Sequence, residues 1–397
     1  MRLSVFIALL FTYVIGCLAA AFGSIFVVER MVGDLGHFAV PIFAAIVLGL
    51  VLQATWIFKA LMTRSYAKAR ARTEQRAAQA RQRAADLPVW SDKPGLEAAL
   101  RYAGLGEWAA RIADLAKPCI LLGPGSVDDA APIGASRLGG QPDMPPDMDW
   151  PTRPPFTPEW EAPNASQAEK DVRNRDWPLS FVAQVDFAEL HAVSPLDGFP
   201  SAGRLLFFCD PVDWPWGEAA DQARVRIVFT ELPRERLKRR AFPGAFGDPM
   251  SRELMPRGHA FKPRALLPTG WLLPPPSRYI NALDWPGWAN AQHDAYELFW
   301  FALCARYPET FAPNGRSEIH QVGGIAWSIQ ELVEAKCAIN ADDGPQFADA
   351  WQLVLQIDSD VEIGMEWGDT GRLYVCARKQ DLAAGRFDRC WTVMQCY

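Results

Sequence analysis

The chain has 397 residues, half of them apolar and 22% charged, and this composition excludes a wholly disordered protein. Its eight cysteines are too few for a disulfide scaffold, and its 29 glycines and 32 prolines follow no collagen repeat. The net charge is −6, but residues 1–85 hold ten Lys/Arg and three Asp/Glu, a net +7, which leaves −13 for residues 86–397. This acidic main region argues against nucleic acid as a partner, because nucleic-acid binding depends on Lys and Arg that neutralise phosphates.

Two uncharged stretches, residues 3–28 and 38–58, are each long enough to cross a bilayer as a helix. Only a short link separates them, so we expect residues 1–58 to form a transmembrane helical hairpin with the lipid bilayer as a partner. Eight basic residues and one acid follow between Lys59 and Arg83. Because basic flanks stay in the cytoplasm, both termini and the main domain are expected there, with two passes through the inner (cytoplasmic) membrane.

The segment 59–86 is rich in Ala, Arg and Gln and is predicted to be a basic juxtamembrane helix. Its cations suit either contact with anionic lipid headgroups or a solvated spacer with the usual positive flank. A processed leader is the alternative to the hairpin, because Cys17 ends a lipoprotein-like box and Ala19-Ala20-Ala21 resembles a peptidase site. The apolar run continues past both positions, which favours the uncleaved hairpin.

Residues 87–117 place apolar side chains near helical spacing and are predicted to form a helical lead-in to the main domain. Gly104 and Gly106 are expected to divide this lead-in into two helices. Ser91 or Asp92 is the expected N-terminal cap of the first helix.

An ordered set of motifs occurs twice, within residues 134–232 and again within residues 318–397. Each copy runs Gly-Gly, then apolar-Gln-apolar-Asp, then Gly-Arg-Leu-apolar. Runs of β-branched and aromatic residues in both copies are typical of paired strands, and helical segments lie beside them. For residues 118–397 we therefore expect an α+β fold, in which two related β-rich halves from an internal duplication share one core with flanking helices, preceded by the transmembrane hairpin.

These motifs resemble the YwqG-like family of bacterial proteins over roughly residues 118–397. The resemblance is carried by five segments: LGGQPDMPPDMDWP (138–151), PLSFVAQVDFAEL (178–190), GRLLFFCD (203–210), HQVGGIAWSIQ (320–330) and LVLQIDSDVEIGMEWGDTGRLYVCARKQDLAAGRFDRCWTVMQCY (353–397). The family is defined by its fold and has no established reaction, so the resemblance implies a bacterial protein and assigns no catalytic residue. Ala326 stands where the family pattern leads us to expect proline, and the hairpin is an addition to the usual soluble form.

Four Asp-Trp-Pro tripeptides, at 149–151, 176–178, 213–215 and 284–286, are predicted to form rigid corners. Proline extends the backbone of the preceding Trp, and Asp closes a local turn. Exposed rings at these corners would form a platform for a peptide or sugar, whereas buried rings would anchor loops on the core. Anchoring is the interpretation that the residue type favours.

Thirteen residues are candidates for a binding site. They come from the Gly-Gly segments, two of the tryptophan corners and the acidic segment 358–369: Arg137, Gly139, Gly140, Asp149, Trp150, Trp177, His320, Gly323, Gly324, Asp358, Asp360, Trp367 and Asp369. The acidic segment approaches the spacing of a calcium loop, but Ile363 stands where such a loop needs glycine, so we expect no metal. We also expect no cofactor, and the catalytic residues stay unknown. The cysteines lie mostly in apolar runs, so we expect reduced core thiols with raised pKa values.

The leading functional hypothesis is a membrane-tethered cytoplasmic interaction module that recognises a protein partner, because tethering raises the effective concentration of the module near membrane partners. The alternative is a hydrolase-type enzyme with a pocket between the two repeats and acid–base chemistry by carboxylates or His320. A deep pocket that holds His320 with an acid would favour the enzyme, and a shallow aromatic face would favour binding.

Overall fold

The computed structural model describes residues 39–156, 166–210, 212–247, 260–311 and 318–397. The chain divides into two compact units, Met1–Ala78 and Gln79–Tyr397. The described part of the first unit is helical. The second unit contains all the strands that the described residues form.

Short 3₁₀ turns connect several of the helices and strands. The α-helices within the described residues are α1 (Ala39–Ala84), α2 (Lys93–Tyr102), α3 (Trp108–Leu115), α4 (Gln167–Arg173), α5 (Phe187–Val193), α6 (Ser277–Ala282), α7 (Asn290–Arg306), α8 (Pro308–Phe311), α9 (Val333–Asn340) and α10 (Lys379–Ala383). The strands are β1 (Lys117–Pro124), β2 (Arg137–Leu138), β3 (Asp143–Met144), β4 (Thr152–Arg153), β5 (Trp177–Pro178), β6 (Ser180–Asp186), β7 (Arg204–Cys209), β8 (Val225–Thr230), β9 (Lys238–Arg239), β10 (Arg264–Leu273), β11 (Gln321–Gly323), β12 (Trp351–Asp358), β13 (Arg372–Arg378) and β14 (Trp391–Gln395).

The predicted second span, 38–58, and the basic segment 59–86 are not separate elements, because α1 runs without a break from Ala39 to Ala84. Within the described part of the chain, no helix is both long enough and apolar enough to cross a membrane. On this finding the predicted transmembrane hairpin is wrong, and so is the two-pass inner-membrane location that depended on it. The other predicted span, residues 3–28, lies outside the described residues.

Ten strands form one antiparallel sheet in the order β14-β13-β12-β11-β1-β10-β2-β6-β7-β8. The central pair, β1 and β10, is in register over the whole of β1, from Lys117 opposite Leu273 to Pro124 opposite Leu266. Both central strands lie outside the two motif copies. The prediction of two β-rich halves is therefore wrong, because the strands of both copies join a single sheet through strands that belong to neither.

Side chains connect the two edges of this sheet. Gln222, in the turn before β8, donates to the carbonyl of Thr392 on β14 (3.2 Å) and accepts from its amide (3.0 Å). Phe229 of β8 stacks on Phe387, with ring centroids 4.6 Å apart. The segment before β8 thus covers part of the β14 edge, which limits pairing of that edge with other chains.

The core lies on both faces of the sheet, as the alternation along β1 shows. Ile120 and Leu122 join one apolar cluster, whereas Cys119 and Leu121 point to the opposite face and join another. The second cluster is completed by buried residues of α2, α3 and α7. This packing fixes α7 against the middle of the sheet.

Candidate functional site

The glutamine of the repeated motif is a buried clamp on the backbone. In the first copy, Gln184 on β6 donates from Nε2 to the carbonyl of Ala135 (2.7 Å) and accepts at Oε1 from the amide of Asp143 (3.0 Å). The Gly-Gly pair of this copy lies between those two residues. One side chain therefore ties together the backbone before and after the Gly-Gly turn.

The second copy repeats the same arrangement. Gln356 on β12 donates from Nε2 to the carbonyl of Ile319 (2.8 Å) and accepts at Oε1 from the amide of Trp327 (2.9 Å). Gln356 is fully buried, so these two backbone groups depend on it for their hydrogen bonds.

The four glycines of the two pairs are required by the backbone. All have positive φ, between 54° and 74°. A Cβ on Gly139 would lie 2.4 Å from the carbonyl oxygen of Lys262, and one on Gly324 would lie 2.7 Å from the Cβ of Cys119. The geometry therefore gives the Gly-Gly pairs a structural role in turning the chain and admitting a neighbouring strand.

Each copy also contains a buried ion pair between facing strands. Asp186 lies opposite Arg204 in register and accepts from its Nη2 at 2.9 Å. Asp358 lies opposite Arg372 in the same way and accepts from its Nε at 2.7 Å. The repeated motif thus places one charged pair at the same point of each strand pair.

The two ion pairs differ in what covers them. Asp186 receives a second guanidinium, because Arg234 donates from Nη2 to Asp186 and to Glu189, at 2.6 Å each. Arg372 is only 6% exposed, yet it forms part of the wall of two cavities. The first copy therefore covers its charged pair with protein side chains, and the second presents its pair to space that a ligand can enter.

These two cavities share Arg372 and Tyr397, and together we name them the Arg372 cleft. The tryptophan cavity, of about 360 Å³, is lined by Pro276, Ser277, Arg278, Glu297, Trp300, Phe301, Cys304, Trp327, Ser328, Arg372 and Tyr397. The aspartate cavity, of about 400 Å³, is lined by Glu318, Asp358, Ser359, Val361, Thr370, Arg372 and Tyr397. Each volume is in the range of ligand pockets.

One face of α7 supplies a wall of the tryptophan cavity. Glu297, Trp300, Phe301 and Cys304 are spaced i, i+3, i+4 and i+7, which places them on the same side of the helix. The ring of Trp327 meets that of Trp300 edge to face, with centroids 4.6 Å apart. The wall is therefore aromatic, with one carboxylate at its N-terminal end.

His320 is held as a neutral hydrogen-bond acceptor behind the cleft. Its Nδ1 accepts from the amide of Asp358 at 3.1 Å. Burial, followed by the positive charges of Arg264 and Arg372, lowers the pKa of His320 to about 3. The described lining residues of the cleft do not include it. His320 is therefore placed to fix the backbone at Asp358 and is too weak a base for proton transfer near neutral pH.

At the cleft, Arg372 stays charged and the thiol of Cys304 stays largely protonated. Burial alone lowers the pKa of Arg372, but the Asp358 carboxylate outweighs this effect and the pKa is raised. Burial raises the pKa of Asp358 itself, against the opposing effects of Arg372 and of backbone amides. Burial raises the pKa of Cys304 to about 12, so little thiolate forms there at neutral pH.

Of the thirteen predicted site residues, Asp358 lines the cleft directly. His320 bonds to Asp358 from behind. The carbonyl of Asp369 accepts from the amide of Tyr397 at 3.2 Å, which positions the ring shared by both cavities. Trp367 is buried in the core. The structure therefore brings these four residues to one region, although only one of them faces the cavity.

Other predicted residues lie elsewhere. Asp360 faces Arg264, with its Oδ2 3.0 Å from Nε, so the two aspartates of the calcium-like segment face separate guanidiniums. Arg137 is fully buried and donates to Asp129 at 2.9 Å. Its Nε and Nη2 have no hydrogen-bond acceptor among the described residues.

The Asp-Trp-Pro corners anchor separate loops. Trp177 is 1% exposed, and the indole of Trp150 donates to the carbonyl of Leu179 at 2.8 Å. Asp149 is exposed. Three of the four rings are half-buried: Trp150, Trp214 and Trp285. The rings of the first two corners therefore belong to the packing of their own loops and are absent from the described wall of the cleft.

Sequence reasoning missed most of the cleft. The residues that it did not single out include Glu297, Trp300, Phe301, Trp327 and Tyr397. A signal was present in the helical segment 294–306, whose glutamate and aromatic residues share one face. Trp327 and Tyr397 carried no such local signal, because they join the wall only through the tertiary fold.

A family model described as a domain of unknown function, DUF1963, matches residues 136–396. The match includes nearly all of both motif copies and all the described lining residues of the cleft except Tyr397. A search of curated proteins finds no match to the chain.

Proposed function

The chain belongs to the DUF1963 family of domains of unknown function, and on that premise we propose that it is a binding module that holds a segment of a protein partner in the Arg372 cleft. The observation that carries the proposal is the preformed wall at Arg372. Its Nε is bonded to Asp358 at 2.7 Å and its Nη1 to the carbonyl of Trp327 at 2.8 Å. These bonds and a hydrogen bond to the Tyr374 hydroxyl use three of the five N–H donors of a guanidinium, so donors remain for a ligand.

The composition of the cleft supports a protein ligand. Tryptophan, tyrosine and arginine dominate the energetic centres of protein interfaces, because they combine large apolar surface with directed polar groups. The cleft contains Trp300, Trp327, Tyr397 and Arg372, and Tyr397 is 74% exposed. Because Arg372 is held by buried bonds, little ordering is needed when a ligand binds.

The net negative charge of residues 86–397 favours a positively charged partner. Residues 86–397 carry −13, since the whole chain carries −6 and residues 1–85 carry +7. Such a unit attracts a basic segment over distances of about 10 Å at ordinary ionic strength. We therefore expect a partner that is rich in lysine or arginine and a complex that weakens as salt is added.

The predicted hydrolase has less support than the module. His320 has its pKa lowered to about 3, and Cys304 has its pKa raised to about 12, so neither suits acid–base or nucleophilic chemistry at neutral pH. The described lining residues all lie after residue 275, so they include none from the first motif copy, and the cleft is not a pocket between the two copies.

The finer family assignment is also a proposal. We infer a relationship with the YwqG-like proteins from the segments 138–151 and 353–397, which carry the resemblance and fall almost wholly within the matched region.

Filling the cleft tests the proposed function. Ser277 lines the tryptophan cavity, and Ser277→Trp is expected to fill it, whereas Ser201→Trp makes the same change at an exposed position outside the described wall. Tagged full-length proteins are compared by affinity purification and quantitative mass spectrometry. A basic partner retained by the wild type and by Ser201→Trp but lost from Ser277→Trp supports the proposal. Equal recovery from all three proteins, or no stoichiometric partner, contradicts it.

A further inference from the structure

The structure points to the chemical group that the tryptophan cavity takes. We propose that this cavity holds the ammonium group of a lysine side chain of the partner, between the carboxylate of Glu297 and the rings of Trp300 and Trp327. The inference rests on the proposed function and adds the identity of the residue that is bound.

Glu297 is the first observation. It is half-buried on the cavity side of α7 and lies beside aromatic walls. Its carboxylate makes no hydrogen bond or ion pair with another described residue. A partly desolvated carboxylate without a counter-ion is unfavourable, and a cation that enters the cavity relieves that cost.

The aromatic rings are the second observation. Trp300 and Trp327 lie edge to face at 4.6 Å, and Phe301 and Tyr397 complete the apolar surface of the cavity. An ammonium group is attracted to the face of an indole ring, most strongly where water is excluded. The four-carbon stem of lysine packs on apolar surface while its head reaches a carboxylate. The carboxylate and the aromatic surface of the cavity therefore both suit a lysine side chain.

The cavity also contains two arginines, and their positions leave room for this cation. Arg372 is paired with Asp358 at 2.7 Å, so its charge is compensated. Arg278 is exposed and donates from Nη1 to the carbonyl of Gln330 at 2.6 Å, which holds it at the rim. No ion pair joins Glu297 to either arginine among the described residues. An incoming ammonium group is therefore directed to the end of the cavity formed by α7.

The test uses two small probes with the same four-carbon stem, of which the first ends in an ammonium group and the second lacks it: Nα-acetyl-lysine methylamide and Nα-acetyl-norleucine methylamide. Binding to the full-length protein is followed by NMR of the indole N–H groups, with Trp300 and Trp327 assigned from Trp→Phe variants. The wild type is compared with Glu297→Gln and with Glu309→Gln. Glu309 is an exposed glutamate on the adjacent helix α8 and is not among the described lining residues, so it is the matched control.

The lysine probe is expected to bind the wild type and Glu309→Gln equally, and to bind Glu297→Gln about fivefold more weakly, as expected for the loss of a partly desolvated charge pair. The norleucine probe is expected to bind weakly to all three proteins. Equal affinity of the lysine probe for Glu297→Gln and the wild type overturns the inference, as does equal affinity of the two probes for the wild type. If Ser277→Trp keeps its partners while the lysine probe still depends on Glu297, the proposed function fails and the ammonium site stands.

Discussion

Replacing Gln356 by alanine is expected to destabilise the second unit by about 2–6 kcal/mol. The side chain is fully buried, and its loss leaves the carbonyl of Ile319 and the amide of Trp327 without their partner. Each buried polar group left unsatisfied costs about 1–3 kcal/mol, and two such groups give the stated range. This is a large share of the roughly 5–15 kcal/mol that stabilises a typical domain.

Gln352 provides the matched control on the same strand. Its side chain is half-buried and makes no hydrogen bond among the described residues, so Gln352→Ala is expected to change the free energy of unfolding by about 0.5 kcal/mol or less. Urea unfolding of the full-length proteins, followed by far-UV circular dichroism, gives the shift of the transition midpoint for each variant.

The reasoning is refuted if Gln356→Ala unfolds within about 1 kcal/mol of Gln352→Ala, which is the lower limit for even a single unsatisfied group. Such a result would mean that the backbone around the Gly-Gly turn finds other partners when the glutamine is absent. The clamp would then be a feature of the geometry without an energetic role.

Two further predictions concern titration. Because the pKa of His320 is lowered to about 3, this histidine stays neutral in the folded state while the unfolded chain takes up its proton near pH 6.5. The contribution of neutral His320 to the free energy of unfolding is therefore fully present above pH 6.5. It falls as the pH is lowered, by about 2 kcal/mol from pH 7 to 5. His320→Asn is expected to remove this part of the pH dependence in urea titrations, and an unchanged pH profile would contradict the assignment. Cys304, with a pKa of about 12, is expected to react with iodoacetamide more than about a hundredfold more slowly in the folded protein than in urea, as measured by mass spectrometry, and equal rates would show an accessible thiolate.

Local chemistry could be predicted from the sequence. The lead-in divides into α2 and α3 at Gly104 and Gly106, and Asp92 caps α2 by accepting from the amide of Gly95 at 2.8 Å. The expected rise in thiol pKa is confirmed at Cys119, where burial raises it to about 12. These features depend on residues that are close together in the chain, so a short stretch of sequence is enough to predict them.

The arrangement of the strands could not be predicted in the same way. β10 contains Pro268 and Gly270, residues that usually weaken a strand, yet it lies at the centre of the sheet. Its stability comes from pairing with the whole of β1, a contact between residues more than a hundred positions apart. The repeated motif predicted two separate halves, although the two strands that join the copies into one sheet lie outside both copies.

The candidate site shows the same limit. The motif positions Gln356 and Asp358 were visible in the sequence, but their chemistry was open to several interpretations until their partners were known. Both side chains accept buried hydrogen bonds from backbone amides, Gln356 from Trp327 and Asp358 from Ile319. The tryptophan cavity is lined from α6, α7, the loop after β11, strand β13 and Tyr397, and of these the helical spacing on α7 is the one local signal in the sequence.

Different parts of the chain hold the two ion pairs and surround them. The clamp and its charged pair belong to the strands, and the strands carry them in both copies. The side chains that surround each pair come from the segments that connect the strands. These segments place Arg234 over the first pair and the helices α6 and α7 beside the second. The connecting segments can therefore change while the bonds within the sheet stay the same. Substitutions in residues 276–304 are therefore expected to change the shape of the cleft, and substitutions at the motif positions of the strands to change the stability of the fold.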